Sequence, residues 1–114
     1  MPFTAGRPLA EAKADLFKAL SHPARIRVLE LLVDADRTIG ELAEQTGLEL
    51  SHLSQQVAVL KRAGLVDSQR LRSNVLCTLR HPETAQLLAV ARGMLSTNLQ
   101  HSRDLLAALD SERP

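Results

Sequence analysis

Aromatic side chains are almost missing from this sequence: two phenylalanines, with no tryptophan or tyrosine, make up 2% of 114 residues. A sheet sandwich leans on aromatic and β-branched residues, so that architecture fits poorly. Apolar residues still account for 45% of the chain, and they are Leu, Val, Ile and Ala, which suit packed helices. Cysteine is equally scarce. The single Cys77 has no partner for an internal disulfide, which argues against a secreted, disulfide-stapled scaffold and for a reducing compartment. No apolar run nears the ~20 residues that span a bilayer, and the polar start Met1-Pro2-Phe3-Thr4 does not read as a signal peptide. A cytoplasmic protein with no membrane association is expected. The length suits a single domain over residues 1–114, burying roughly two-thirds of the surface its unfolded chain exposes.

Charge of one sign is also lacking in bulk, the formal net charge being only +1. Its distribution is uneven. Between Lys61 and Arg80 there are five bases against one acid, a net +4, whereas Glu30 to Glu49 carries six acids against Arg37 alone, a net −5. Such segregation focuses an anionic partner on one segment, although two unlike solvated faces would give the same count.

Along the chain, Pro8 stands at a first helical turn, and Leu9, Ala12, Leu16, Ala19 and Leu20 follow at helical spacing. Ser21-His22-Pro23 interrupts, because a proline disfavours helical geometry in the residue before it. A second helix is predicted from Arg25 to about Val33, opened by Pro23, with Ile26, Leu29 and Leu32/Val33 inward. Asp34 to Arg37 reads as a polar loop. Thr38 and Glu41 match a capping box, Leu42 and Ala43 begin a short helix, and Gly47 is placed to end it. The next helix starts near Leu50 or Ser51 with an inward stripe of Leu50, Leu53, Val57 and Leu60. It stops at Gly64, with Leu65 able to pack back. Val66 to Leu71, the tip Arg72-Ser73-Asn74 and Val75 to Leu79 then form a hairpin, Asn74 being a residue that tolerates positive φ.

From Pro82 to about Leu109 the stripe Leu88, Ala91, Leu95, Leu99, Leu106 and Leu109 describes a helix roughly 40 Å long. That is longer than a domain of this size is wide, so part of the stripe lacks intrachain cover. A second copy of the chain would bury it, with the first helix as another contact; the alternative is a bent helix folded on its own domain.

Two short helices joined at a glycine turn, the second with a polar outer face, form the helix-turn-helix pattern. Outward on the second helix are Ser51, His52, Ser54, Gln55, Ala58, Lys61 and Arg62. Gln55 can pair with adenine in the major groove, the short hydroxyls and His52 can approach base edges or phosphates, and Lys61 and Arg62 suit phosphate. Gln56 lies nearer the buried stripe and is the weaker member of this set. Arg70 and Arg72 sit toward the hairpin tip, where a wing reaches flanking backbone or minor groove. Double-stranded DNA is the expected partner.

The stretch Leu16 to Leu32, containing Ser21-His22-Pro23-Ala24-Arg25, resembles the opening of the ArsR/SmtB family of bacterial regulators. Glu41-Leu42-Ala43, Gly47-Leu48, Ser51 to Ser54 and Val59-Leu60-Lys61-Arg62-Ala63-Gly64-Leu65-Val66 continue the resemblance in register. It covers about residues 16–79, plus a long last helix where the family has its dimerising one. The resemblance implies a mainly α, winged helix-turn-helix fold with a small β-hairpin, the helix-turn-helix at about 38–63, the wing at about 66–79 and a dimerisation helix at about 82–109. It implies a homodimer on an inverted repeat, more often a repressor than an activator. The wing lacks the usual glycine and aromatic residues, and Gln55-Gln56 replaces a frequent histidine pair, so no operator sequence carries over.

Many members respond to metals, which makes the ligand positions informative. Where thiolate sensors place cysteines, this chain has Thr38 and Gly40. Where others place four ligands along the last helix, it has His81, Glu83, Met94 and Thr97, of which the first two are ligand types and the others poor ones. His101 and Asp104 lie one turn apart. A metal-responsive sensor for nickel or zinc therefore stands as an alternative on half a ligand set, and a protein-interaction winged helix acting with a partner regulator as another. The resemblance also leaves room for a small effector or a protein co-regulator. No cofactor is expected. No nucleophile–base pair, glycine-rich phosphate loop or paired carboxylates in a pocket suggests an enzyme. Cys77, on the inner strand face, reads as a small core residue.

Overall fold

The computed structural model describes residues 8–112. Its elements are α1 (Leu9–Leu20), α2 (Pro23–Asp34), β1 (Arg37–Thr38), α3 (Ile39–Thr46), α4 (Leu50–Arg62), β2 (Val66–Leu71), β3 (Asn74–Leu79) and α5 (Thr84–Ser111). The chain divides into two compact units, one ending at Thr84 and the other beginning at Ala85.

In the first unit, α1 stops where the sequence says it must. His22, ahead of Pro23, is extended at φ −150°, and its Nδ1 accepts a 3.1 Å bond from the Ala24 amide, capping α2. Leu9 stays exposed, whereas Ala19 and Leu20 are buried. Along α2 the buried residues are Val28, Leu29, Leu31 and Leu32, while Val33 points to solvent. The predicted polar loop before α3 ends in a short strand: Arg37 and Thr38 pair antiparallel with Cys77 and Leu76. The sheet thus has three strands, in the order β1-β3-β2, where a two-stranded hairpin was expected. Two residues are too few to show a period of two, and their partner lies ~40 positions away, so no local signal marked them.

Thr38 serves the strand and the helix together. Its hydroxyl accepts from the Glu41 amide at 3.1 Å, and the Glu41 carboxylate accepts from the Thr38 amide at 2.8 Å, completing the capping box. The bonds from Thr38 hold the Glu41 carboxyl below its ordinary pKa. A lowered folded-state pKa means that this carboxylate stabilises the fold above the ordinary carboxylate range, a contribution lost as pH falls through the lowered value. Replacing Thr38 by Ala is expected to cost about 1 kcal/mol, read as a lower urea midpoint at unchanged slope, with Thr38→Ser near wild type. An unmoved Thr38→Ala midpoint would contradict the cap.

Gly47 ends α3 at φ 74°, as its position predicts. At the far end of α4, Gly64 takes φ 78°. Its amide donates to the Lys61 carbonyl, and the Leu65 amide donates to the Leu60 carbonyl, both at 3.0 Å. This is a Schellman closure, and it turns the chain into β2 with Leu65 and Val66 buried. Leu29 of α2, Leu42 of α3, Leu53 and Leu60 of α4, Val66 of β2 and Cys77 of β3 are fully buried together. The core therefore lies between the three helices and the small sheet.

In the hairpin, Leu71 pairs with Asn74, leaving Arg72 and Ser73 as a two-residue loop. Asn74 belongs to the strand, and the positive φ expected there falls instead on Arg72, at 51°. In the second unit, α5 has 28 residues, roughly 42 Å of helix. It begins two residues later than Pro82, which lies in a turn closed by the Thr84 amide on the His81 carbonyl. Leu95, Leu99, Leu106 and Leu109 of its predicted stripe are all more than half exposed.

Candidate nucleic-acid interface

At ~100° per residue, Leu53, Gln56, Val57 and Leu60 share one side of α4, and all four are buried. That anchoring leaves Ser51, His52, Ser54, Gln55, Lys61 and Arg62 exposed, with Ala58 partly covered. Two expectations need correction. Leu50, counted in the inward stripe, is 56% exposed, because it lies about 70° from the stripe's centre at the first helical residue. Gln56, the weakest of the groove candidates, points inward, where its amide oxygen accepts a 3.1 Å bond from Arg25 Nη1. It is withdrawn from the groove-facing set.

Several outer groups are already oriented by neighbours. The Ser51 hydroxyl donates to the Glu49 carboxylate at 2.8 Å, so its lone pairs, rather than its proton, are offered outward while that bond stands. Lys61 Nζ donates to the Ser68 hydroxyl on β2 at 2.6 Å, which ties the end of α4 to the hairpin and leaves two ammonium donors unused by that bond. Beside them Arg80 and Asp67 form a loose, exposed pair at 4.0 Å. Such a contact contributes little to stability. Arg70 and Arg72 are exposed on the hairpin, Arg72 in the loop itself. The structure therefore brings α4 and the wing together in one unit, with four bases among the sites expected from sequence. Nothing in the His-Pro-x-Arg stretch marks the bonding role of Arg25, which only its three-dimensional partners reveal.

Cys77 is fully buried, and burial pushes its thiol pKa up, partly opposed by Lys61. A thiol held protonated is a poor nucleophile, which fits a packing role. His81 and Glu83 lie exposed in the turn before α5; His101 and Asp104 are on the helix, where Asp104 accepts from Gln100 at 3.0 Å. Among the described residues no three His, Cys, Asp or Glu side chains cluster as a metal site. No described helix is long and apolar enough to cross a membrane.

Residues 20–69 match the helix-turn-helix domain family. Over 107 residues the chain is 49% identical to Rv0081 of Mycobacterium tuberculosis, an uncharacterized HTH-type transcriptional regulator, covering 93% of this chain and 91% of that protein. The crystal structure of Rv0081 superposes with a TM-score of 0.78 over 85% of this chain and 98% of that one. Mb0332 of Mycobacterium bovis, a homodimeric winged helix-turn-helix DNA-binding domain described as a possible ArsR-family transcriptional regulator, superposes with a TM-score of 0.74 at 27% identity, over 86% and 95% of the two chains. The chain belongs to the ArsR/SmtB family.

Membership makes this winged helix-turn-helix chain a DNA-binding transcription regulator. The biofilm growth-associated repressor of Xylella fastidiosa is 37% identical over 79 residues, 69% of each protein. The ArsR/SmtB fold and family are those of a DNA-binding protein, and the exposed Ser and His side chains of α4 fit that use.

Proposed function

We propose that this regulator represses transcription from the cytoplasm as a homodimer, seating α4 of each subunit in successive major grooves of an inverted-repeat operator. In this reading residues 1–114 act as one domain whose last helix joins the two subunits. One observation carries the reading: α4 commits Leu53, Gln56, Val57 and Leu60 to the core and leaves its other side polar and open. Gln55 reads adenine, Ser51, His52 and Ser54 meet base edges or phosphate at the helix start, and Lys61, Arg62, Arg70 and Arg72 hold phosphate. Two-fold symmetry would space the half-sites about 34 Å apart. The homodimeric state of Mb0332 supports the assembly, and the Xylella relative supports repression.

Two substitutions separate reading from holding. Gln55→Ala is expected to flatten base preference at one position of each half-site, by about 1–3 kcal/mol, in a randomised-operator selection. Arg72→Ala should weaken all sequences about equally and make the salt dependence shallower by about one phosphate contact per subunit. An unchanged selection profile for Gln55→Ala would remove Gln55 from the reading set.

A further inference from the structure

Gln56 is a polar side chain on the buried side of α4, only 9% exposed. Its amide oxygen is held by Arg25 Nη1 at 3.1 Å. The same guanidinium donates through Nε to the Ala19 carbonyl at 2.7 Å and through Nη2 to the Lys18 carbonyl at 3.4 Å. Those carbonyls belong to the last turn of α1, where helix carbonyls lack intrahelical donors; Lys18 is also bonded by the Ser21 amide and hydroxyl, so the firm tie is the one to Ala19. One planar group, itself half-buried on α2, therefore ties the end of α1 to α4. A guanidinium presents five donors in a fixed fork, which a flexible ammonium cannot reproduce.

We infer that Arg25 is a positioning residue for DNA reading, fixing the rotation of α4 about its axis through Gln56 and hence the direction in which Gln55 meets the groove. This rests on the proposal that the outer side of α4 enters that groove. The apolar residues of the stripe hold α4 against the core by packing, without directional bonds. The Arg25–Gln56 bond is directional. A roll of about 15° carries a side-chain atom ~5–6 Å from the axis through about 1.4 Å, enough to break a paired hydrogen bond to a base. Phosphate contacts from long, flexible lysine and arginine side chains tolerate such a displacement. Loss of the bridge should therefore damage sequence discrimination and spare sequence-independent binding.

The test uses the full chain, a duplex selected by the unaltered protein from a randomised pool, and a scrambled duplex of equal length. Arg25→Lys keeps the charge and loses the fork; Gln56→Met keeps the volume and loses the acceptor. Each is expected to weaken the selected duplex about tenfold while the scrambled duplex stays within about twofold. The double variant should also lose about tenfold rather than about a hundredfold, since both changes remove one bond. A purely structural role would lower the folded fraction and weaken both duplexes alike, and thermal melts followed by circular dichroism report that fraction directly. Single variants within about twofold of wild type on the selected duplex, equal losses on both duplexes, or multiplied losses in the double variant would each overturn the inference. Should Arg25→Lys not fold, Gln56→Met decides by the same criteria. If the unaltered protein enriches no duplex, the groove reading itself fails and takes this inference with it.

Discussion

Raising salt from 50 to 200 mM is expected to weaken DNA binding on the order of 10⁴-fold. Lys61, Arg62, Arg70 and Arg72 lie on α4 and the wing of one unit, and all four are exposed. A homodimer presents two such sets. If each base displaces one condensed counterion, about eight contacts give a log–log slope near −7, and a fourfold rise in salt then costs roughly four decades. Electrophoretic mobility or fluorescence anisotropy titrations across that range measure the slope. With a near-neutral total charge, so steep a dependence must come from the bases gathered on this segment rather than from the overall charge of the chain. A slope shallower than about −2 would mean that the wing and α4 do not both engage phosphate, and the groove reading would fall.

A comparably large effect is expected from Leu99→Glu, which should convert the proposed dimer to a monomer at micromolar concentration. Leu95, Leu99, Leu106 and Leu109 share one stripe of α5 and are each 56–63% exposed within the chain. Burying a leucine side chain fully contributes about 1.5–3 kcal/mol, and in a symmetric seam every residue counts twice. A glutamate at position 99 would forfeit that gain in both subunits and bring two carboxylates into an apolar seam, where they would be desolvated without a partner. Sedimentation velocity reads the outcome. The salt-dependent affinity for an inverted repeat should fall with it, because a monomer holds one half-site at a time. A Leu99→Glu protein that still sediments as a dimer would move the subunit contact away from this stripe, with α1 the next surface to test.

Much of this molecule is written locally. The capping box at Thr38 and Glu41 and the left-handed stops at Gly47 and Gly64 depend on neighbours within a few residues, and each recurs in the structure. The alternation through Cys77 is blurred: Cys77 alone is buried, and the two strand residues on either side of it are all intermediate. What escaped local reading depends on distant partners. The strand at Arg37–Thr38 exists because Cys77 and Leu76 offer it a sheet edge. Leu50 reads as core by spacing alone, yet spacing does not say where along a helix the cover ends. Gln56 reads as ambiguous until Arg25 supplies the donor that makes its burial tolerable.

The hairpin tip was legible as a turn but not in its detail. Asparagine tolerates a left-handed backbone better than arginine does, so composition points to Asn74. Register overrides composition: with Leu71 and Asn74 paired, only Arg72 and Ser73 remain to make the reversal.

That reversal has an energetic consequence. At φ 51°, Arg72 occupies a backbone region that glycine enters freely and that costs a residue with a Cβ roughly 1–2 kcal/mol. A glycine in its place would make a more stable wing with nothing at its end to touch a phosphate. If Arg72 holds phosphate as proposed, the tip trades durability for grip, and a variant selected only for heat resistance would be drawn toward losing its hold on DNA.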